Sequence, residues 1–316
     1  MKWVLEEGCT DLKLTEAKSY VNIYFRMTNG TTEDNPPQWA STVWFAADAT
    51  ECVVIFIING ATLLAFARDH HLRKRNTYLI INLTVADLLV GAVTHPMDLY
   101  YYPEYDATSF SWKYIAVTVL YNTFQIASLT NLSLIALERL HATLCPFRHC
   151  SIDILAYFKI VICSWLVSLV LSSMMVVIEV YEPDPFAYLY ARASLIVITL
   201  LILSISHVIM IVKVKSNLPP HHFGAVASDR RLSVTLFIVT VASILTILPY
   251  AIYAVIPYGE WNRLSKTAQI HIRGAVYFLY YASSLVNPLI YAIRMKEFRN
   301  RVKDLICNRG PESSPV

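Results

Sequence analysis

The stretch Asn287-Pro288-Leu289-Ile290-Tyr291 lies near the end of a long apolar segment, residues 274–293, and decides the interpretation of the chain. A proline inside a helix removes one backbone donor, frees one carbonyl and kinks the helix. In a lipid bilayer the freed carbonyl must find a partner within the protein, and a nearby asparagine can supply it. The stretch therefore predicts a kinked membrane helix whose inner end can take two positions.

Six other apolar segments precede this one, each long enough for the roughly 20 residues that cross a bilayer. Together the seven segments are residues 44–67, 77–101, 114–137, 156–179, 193–213, 232–256 and 274–293. Charged residues make up 16% of the chain, against about 25% in soluble domains. The alternative, a soluble all-α protein, would give its helices a polar face that these segments mostly lack. The predicted fold class is an all-α membrane protein, a bundle of seven transmembrane helices formed by residues 41–294.

Basic residues at the ends of the spans predict their orientation, because short loops rich in Lys and Arg stay in the cytosol. Arg73, Lys74 and Arg75 follow span one, Arg230 and Arg231 precede span six, and five more basic residues follow span seven. The loop between spans four and five, residues 180–192, is placed outside with Arg192 as its basic residue. The chain is thus predicted to be a multi-pass plasma-membrane protein with an extracellular N-terminal segment, residues 1–40. The sequon at Asn29 agrees as a glycosylation site.

The segment after span seven, residues 295–307, carries apolar residues at helical spacing with basic residues on the other face. This pattern predicts a short amphipathic helix on the inner membrane surface. Cys307 ends it and is a candidate for palmitoylation, with an unmodified cytosolic cysteine as the alternative. Residues 308–316 are predicted to be a disordered cytosolic tail.

Two more polar motifs lie on the spans. Asp87 stands inside span two in Asn82-Leu-Thr-Val-Ala-Asp-Leu, and Glu138-Arg139-Leu140 ends span three. In this order on seven spans, these motifs and the Asn287-Pro288 stretch resemble the rhodopsin-like (class A) G-protein-coupled receptors. The resemblance covers about residues 41–307.

The resemblance implies a sodium site around Asp87. In the family this aspartate binds sodium with polar groups of helices three and seven. The matching residues are Ser128, Ser284 and Asn287, and Asn59 of span one is expected to hydrogen-bond nearby. The alternative is a structural aspartate that is hydrogen-bonded without an ion. Apart from this ion, no cofactor is expected.

The resemblance also implies a switch at the inner face. In the family the arginine that matches Arg139 is held in the inactive state by its neighbouring acid and by an acid at the inner end of helix six. It receives the G protein in the active state. Glu138 and Asp229 match the two acids, so an electrostatic latch is available, with an ordinary interfacial ion pair as the alternative. The other residues assigned to coupling and switching are Pro249, Asn287, Pro288 and Tyr291.

Several positions depart from the family. The usual Cys-Trp-x-Pro of helix six reads Thr246-Ile247-Leu248-Pro249, Ser243 replaces a phenylalanine, and span five has no proline. The path from ligand to inner face is therefore less conventional than the inner face itself. The family's outer disulfide is absent too, since Tyr114 replaces its cysteine and residues 180–192 contain none. Melanocortin, cannabinoid and lysolipid receptors share that absence, and the chain loosely resembles this branch.

The sequence excludes some classes of ligand more clearly than it identifies one. Tyr121 stands where amine receptors place an aspartate, and Tyr281 where opsins place their Schiff-base lysine. An amine ligand and retinal are therefore not expected. Tyrosines in the outer halves of the spans predict a pocket with apolar walls and polar tips, or alternatively an interface belt of aromatic residues. The predicted ligand-binding residues are Asp98, Tyr121, Gln125, Tyr250, Tyr253, Tyr277 and Tyr281.

The functional prediction is a receptor that binds an extracellular lipid, peptide or other small molecule and activates a heterotrimeric G protein. Its partners are the ligand, the G protein and the lipid bilayer. Nucleic acid is excluded because the basic residues sit in short blocks beside apolar spans, and no enzymatic chemistry is indicated. The alternatives are a non-signalling decoy or scaffold receptor of the same fold and, with less support, a transporter. A transporter usually shows internal repeats, which we do not find here.

Overall fold

The structure is a computed structural model that describes residues 38–68, 77–104, 112–181, 187–216, 225–256, 261 and 263–294. All seven predicted spans are helical, and the seven-transmembrane prediction is confirmed. Span one is Gln38–Arg68, span three Trp112–Leu144, span four Ile154–Tyr181, span five Ala187–Ser216, span six Ala225–Ala254 and span seven Lys266–Arg294. Span two consists of Tyr78–Leu89, a π-helix Val90–Thr94 and His95–Glu104. A short helix, Pro146–Cys150, connects spans three and four. Asn29, Cys307 and the predicted amphipathic helix and tail lie outside the described residues.

The outer end of span five corrects a predicted boundary. The helix begins at Ala187, so Tyr188 and Arg192 belong to span five and not to an outer loop over residues 180–192. The predicted boundary was wrong because a basic residue near the end of a span normally indicates a loop. Arg192 is in fact buried, with 9% of its surface exposed, and the helix continues through it.

The faces of span four show how these helices meet lipid. Its exposed side chains are mostly apolar and include a stripe at four-residue spacing, Phe158, Ile162, Leu166 and Val170. Its buried side chains include three serines at four-residue spacing, Ser164, Ser168 and Ser172. Apolar residues outside and small polar residues inside reverse the arrangement of a soluble helix. Small residues let membrane helices approach closely, which is how span four packs against the bundle.

Span three occupies the centre of the bundle. It packs against spans two, four and five, whereas span seven packs against spans one and six. Span three accordingly buries polar side chains, among them Asn122, Gln125, Ser128 and Asn131. Within the described residues, spans one, two, four and five are apolar and long enough to cross a membrane by composition alone. Span three meets protein on several sides, so it needs less apolar surface.

A close approach between spans one and two depends on a glycine. Gly91 lies in the π-helix, and a Cβ atom there would lie 2.6 Å from Ile55 Cγ2 and 2.9 Å from Ile55 Cβ. Ile55 is completely buried, so it has little room to move away. A π-helical turn inserts an extra residue and turns the following helix, here the part of span two that carries His95 and Asp98.

Changing Gly91 to alanine should therefore destabilise the bundle. Overpacking of this kind costs about 1–3 kcal/mol, and the melting temperature of the purified protein in detergent should fall accordingly. Gly60→Ala is the matched control, because its Cβ would meet only Leu88 Cδ1 at 3.8 Å, an ordinary contact. Equal melting temperatures for the two variants would contradict the close packing described here.

Candidate functional site

Four side chains from three spans meet at Asp87, which is completely buried. Ser128 Oγ donates to Asp87 Oδ1 at 2.6 Å, and Ser284 Oγ donates to the same oxygen at 2.9 Å. Asn287 Nδ2 donates to Asp87 Oδ2 at 2.9 Å. The structure thus brings together the four residues predicted to form a sodium site. A buried carboxylate with three donors is well satisfied even without an ion.

The donor set at Asp87 also fits a small hard cation. Asn287 Oδ1 is buried and has no hydrogen-bond partner among the described residues. A carboxylate, two hydroxyl oxygens and an amide oxygen are all suitable ligands for such an ion, since each hydroxyl can turn a lone pair toward it. The same four residues thus fit both alternatives, a hydrogen-bonded aspartate without an ion and an aspartate that holds a cation.

The kink in span seven is satisfied from span one. Pro288 has no amide proton, so the carbonyl four residues earlier, that of Ser284, lacks its helical donor. Asn59 Nδ2 donates to this carbonyl oxygen at 3.2 Å and to the Ile55 carbonyl at 3.0 Å. The asparagine that the kink requires is therefore Asn59, while Asn287 is engaged with Asp87. This contact ties span one to the flexible point of span seven.

At the inner end of span three, Arg139 and Glu138 form a close ionic contact. Arg139 Nε lies 2.7 Å from Glu138 Oε2, although its geometry is not that of a directed hydrogen bond. Glu138 Oε1 also lies 2.8 Å from His149 Nε2, and Tyr157 Oη donates to it at 3.2 Å. Glu138 is therefore held by the short connecting helix and by span four as well as by Arg139. His149 and Tyr157 were not among the predicted site residues.

Two predicted switch residues are placed only by their backbones. Asp229 and Tyr291 lie in spans six and seven, but their side chains fall outside the described residues. The proposed contact between Asp229 and Arg139 thus stays a prediction. Pro249 lies inside span six, and Ser243, one of the departures from the family, is completely buried one and a half turns before it.

In the outer half, Asp98 and Tyr281 lie together. The Tyr281 hydroxyl donates to Asp98 Oδ2, which joins spans seven and two. The His95 ring stacks on the Tyr281 ring, with 3.9 Å between centroids and 14° between planes. Asp98 is also within the electrostatic influence of Arg192 and Arg273.

The remaining predicted pocket residues form two groups. Tyr250, Tyr253 and Tyr277 pack edge to face or tilted, with centroids 5.4 to 6.4 Å apart. Tyr121 Oη lies 3.0 Å from Tyr188 Oη, which in turn donates to Asn122 Oδ1 at 3.1 Å. The predicted tyrosines thus line the bundle interior in two clusters, one on spans six and seven and one between spans three and five.

Arg192 lies between these clusters and was not predicted as a site residue. Its Cζ atom is 5.1 Å from the Tyr250 ring centroid and 5.5 Å from that of Tyr280. Nη1 donates to Tyr188 Oη at 3.3 Å, while Nη2 has no partner among the described residues. Arg192 also forms no ion pair with a described carboxylate. Arg192 is thus a buried cation that contacts two aromatic rings and keeps one donor nitrogen without a partner among the described residues.

A small cavity opens beside this cation. Its volume is about 10 Å³, roughly the space of a single water molecule. Its lining residues are Asn122, Gln125, Ile126, Leu129, Met175, Arg192, Leu195, Ile196 and Tyr280. Four of its neighbouring polar atoms have no partner among the described residues: Asn122 Nδ2, Gln125 Oε1, Tyr250 Oη and Tyr280 Oη. The cavity therefore combines one cation and unsatisfied polar groups with an apolar floor.

Gln125 is the predicted pocket residue that lines this cavity, whereas Tyr280 was missed. Tyr280 shares one face of span seven with Tyr277, Tyr281 and Ser284, at the spacing of helical neighbours. That periodicity was visible in the sequence and could have identified it.

The sequence matches the 7 transmembrane receptor (rhodopsin family) over residues 58–291. The chain belongs to this receptor family. The resemblance stated from the motifs is therefore confirmed, and the receptor is a multi-pass membrane protein of a signal-transducing family.

Individual relatives are distant. Human lysophosphatidic acid receptor 3 is 21% identical over 320 residues, which covers 94% of this chain and 88% of the human receptor. The rat protein of the same name is 22% identical over 300 residues, or 88% of this chain and 83% of that receptor. Rat histamine H4 receptor is 37% identical over 60 residues, which is 19% of this chain and 14% of that protein. The full-length similarities agree with the predicted likeness to lysolipid receptors.

Proposed function

We propose that this receptor binds an extracellular anionic lysolipid, with its N-terminus outside the cell, and activates a heterotrimeric G protein. The observation that carries the proposal is the unpaired, buried guanidinium nitrogen of Arg192 at the cavity. The names of the human and rat relatives that match most of the chain, both lysophosphatidic acid receptors, support the same ligand class.

The charge of Arg192 argues for an anionic headgroup. A charged side chain inside a membrane protein is costly unless it is paired, and such residues usually mark a binding path. The rings of Tyr250 and Tyr280 supply cation–π contacts, worth about 0.5–2 kcal/mol each. A phosphate oxygen is a stronger partner, because a charge-assisted hydrogen bond to guanidinium is about twice as strong as a neutral one. The unpartnered hydroxyls of both tyrosines are available to donate to further oxygens.

The apolar floor argues for a hydrocarbon tail. Ile126, Leu129, Met175 and Ile196 face the cavity next to the cation. The cavity of about 10 Å³ is far smaller than the roughly 300–1,000 Å³ of typical ligand pockets, so binding of an acyl chain requires the surrounding side chains and spans to move apart. Methionine is the most adaptable of these residues, because its side chain is unbranched and has three rotatable bonds.

The inner half supports coupling to a G protein. Arg139 stands at the inner end of span three with only 9% of its surface exposed, held by Glu138. Release of that contact would free a cation at the cytosolic face, where a G protein docks. The kink at Pro288, supported by Asn59, gives span seven a point at which its inner end can shift. A conformational switch requires an element with two discrete positions, and the inner end of span seven can supply them.

A sodium ion at Asp87 is part of the proposal. Asp87, Ser128, Ser284 and Asn287 would hold it, and when bound it would supply the positive charge that neutralises the carboxylate. Through Ser284 and Asn287 these residues hold span seven in the turn that immediately precedes Pro288. The arrangement favours the inactive position of span seven.

Purified receptor in lipid nanodiscs, mixed with a G protein, tests the ligand class through nucleotide exchange. Lysophosphatidic acid should stimulate exchange, while a monoacylglycerol with the same acyl chain, which lacks the phosphate, should not. Stimulation by both lipids would contradict the role of the anionic headgroup. If neither lipid stimulates exchange while basal exchange is normal, the proposed ligand class is wrong and the receptor binds another ligand. No exchange at all would favour a decoy or scaffold.

Sodium should raise the thermal stability of the ligand-free receptor. A ligand that binds only the folded state stabilises it by about 2.7 kcal/mol at a hundred times its dissociation constant. The melting temperature should rise when sodium replaces choline at constant ionic strength, and Asp87→Asn should remove that rise. Asp153→Asn, an acid-to-amide change at an exposed position, should keep it. A wild-type melting temperature that ignores sodium would refute the ion site.

A further inference from the structure

Three metal-ligating side chains converge between spans one and two, away from Asp87 and its partners. Asp48 and Glu51 are three residues apart on span one, which places them on one helix face. His95 begins the helical segment after the π-helix of span two. One ligand atom from each residue lies within 4.8 Å of the other two.

The atoms of this cluster lack ordinary partners. Glu51 is 3% exposed and His95 is 2% exposed. Both carboxylate oxygens of Glu51, Asp48 Oδ1 and His95 Nδ1 have no hydrogen-bond partner among the described residues. No described basic side chain forms an ion pair with the two acids. Two carboxyl groups beside an imidazole, all unsatisfied within the membrane, require a proton or a cation.

We propose that Asp48, Glu51 and His95 form a binding site for a divalent transition-metal ion of the zinc class. Two carboxylates and a neutral imidazole match the ligands that zinc prefers, and the two negative charges balance the ion. The imidazole argues against calcium and magnesium, which take oxygen ligands. Bonds of about 2.0–2.2 Å require the three ligand atoms to approach each other further, which rotation of the acidic side chains allows.

The cluster is placed to influence the ligand-binding half. His95 stacks on Tyr281, and Tyr281 donates to Asp98. An ion on His95 would therefore fix span one to span two next to the contact between spans two and seven. Asp48 is only partly buried, so it offers a route for the ion from the outer side.

The test uses the purified full-length receptor in nanodiscs, titrated with zinc chloride in a calorimeter and in a thermal unfolding assay. We expect zinc to raise the melting temperature, and calcium or magnesium at the same concentration to have little effect. Glu51→Gln and His95→Gln should each weaken zinc binding at this site about tenfold or more. His271→Gln is the matched control, because His271 lies on the outer part of span seven and contacts Trp44 instead.

Histidine pairs elsewhere in the chain, such as His70-His71, are common to all variants and give the same background. X-ray absorption at the zinc edge distinguishes the sites, since the proposed one has a single imidazole and two carboxylates. Equal zinc binding by wild type and Glu51→Gln would overturn the proposal. So would a wild-type spectrum dominated by several imidazoles, which also decides the matter if His95→Gln fails to fold.

Discussion

Arg139→Ala should abolish G-protein activation while leaving ligand binding and surface expression near normal. Arg139 is the buried cation at the inner end of span three, and its close contact is with Glu138. Alanine removes the charge that a G protein would meet when this contact opens. Because the proposed role is a direct one, nucleotide exchange should fall to the level of membranes without receptor.

The control for this loss is Arg148→Ala, which removes an exposed arginine from the short helix Pro146–Cys150 on the same side of the membrane. That variant should activate the G protein normally. Retained signalling by Arg139→Ala would refute the assigned role. Loss of activity in both variants would indicate a general need for positive charge at this face.

The predicted contact between Asp229 and Arg139 implies that a change at Asp229 increases G-protein activation. Asp229→Ala should raise basal G-protein activation, because it removes one of the two acids expected to hold Arg139 in the inactive state. Glu138 would remain, fixed by His149 and Tyr157, so the increase should be partial. Unchanged basal exchange at equal receptor density would count against a latch that includes Asp229.

Much of the inner site could be predicted from sequence because polar residues are rare within apolar spans. Asp87 and Asn287 lie on different spans, yet each must turn inward, so they were expected to meet. Their contact at 2.9 Å follows because polar side chains are unfavourable in lipid and therefore face the interior of the bundle. The same argument placed Asn59 near Asp87 and its partners, whereas its bond to the Ser284 carbonyl at the kink of span seven became evident only from the structure.

The outer site was less predictable for three physical reasons. A basic residue near a span end normally indicates a loop, and this rule hid the buried Arg192. The π-helix at Val90–Thr94 changes the direction of the residues after it, and periodicity alone does not reveal such an insertion. Finally, the apolar average of span one conceals Asp48 and Glu51, although each acid inside a membrane requires a partner.

Arg192→Gln should reduce the potency of lysophosphatidic acid by about 100-fold, since removing one partner of a buried charged pair costs about 2–5 kcal/mol. The expected loss follows from the position of Arg192 at the cavity, where its Nη2 is the unpaired donor. Glutamine keeps a donor but no charge, so the phosphate would lose its counterion while the acyl chain keeps its apolar contacts. Dose–response curves of G-protein activation give the measurement.

Two further variants separate headgroup recognition from a folding defect. Arg192→Lys should recover part of the potency, because lysine restores the charge without the bidentate geometry of guanidinium. Arg263→Gln removes an exposed arginine near the outer end of span seven and should leave potency unchanged. If Arg192→Gln binds and responds like the wild type at equal surface density, the anion-binding role of Arg192 is wrong. If lysine is as poor as glutamine, the positive charge is not what the site requires, and the packing of guanidinium between Tyr250 and Tyr280 is its role instead.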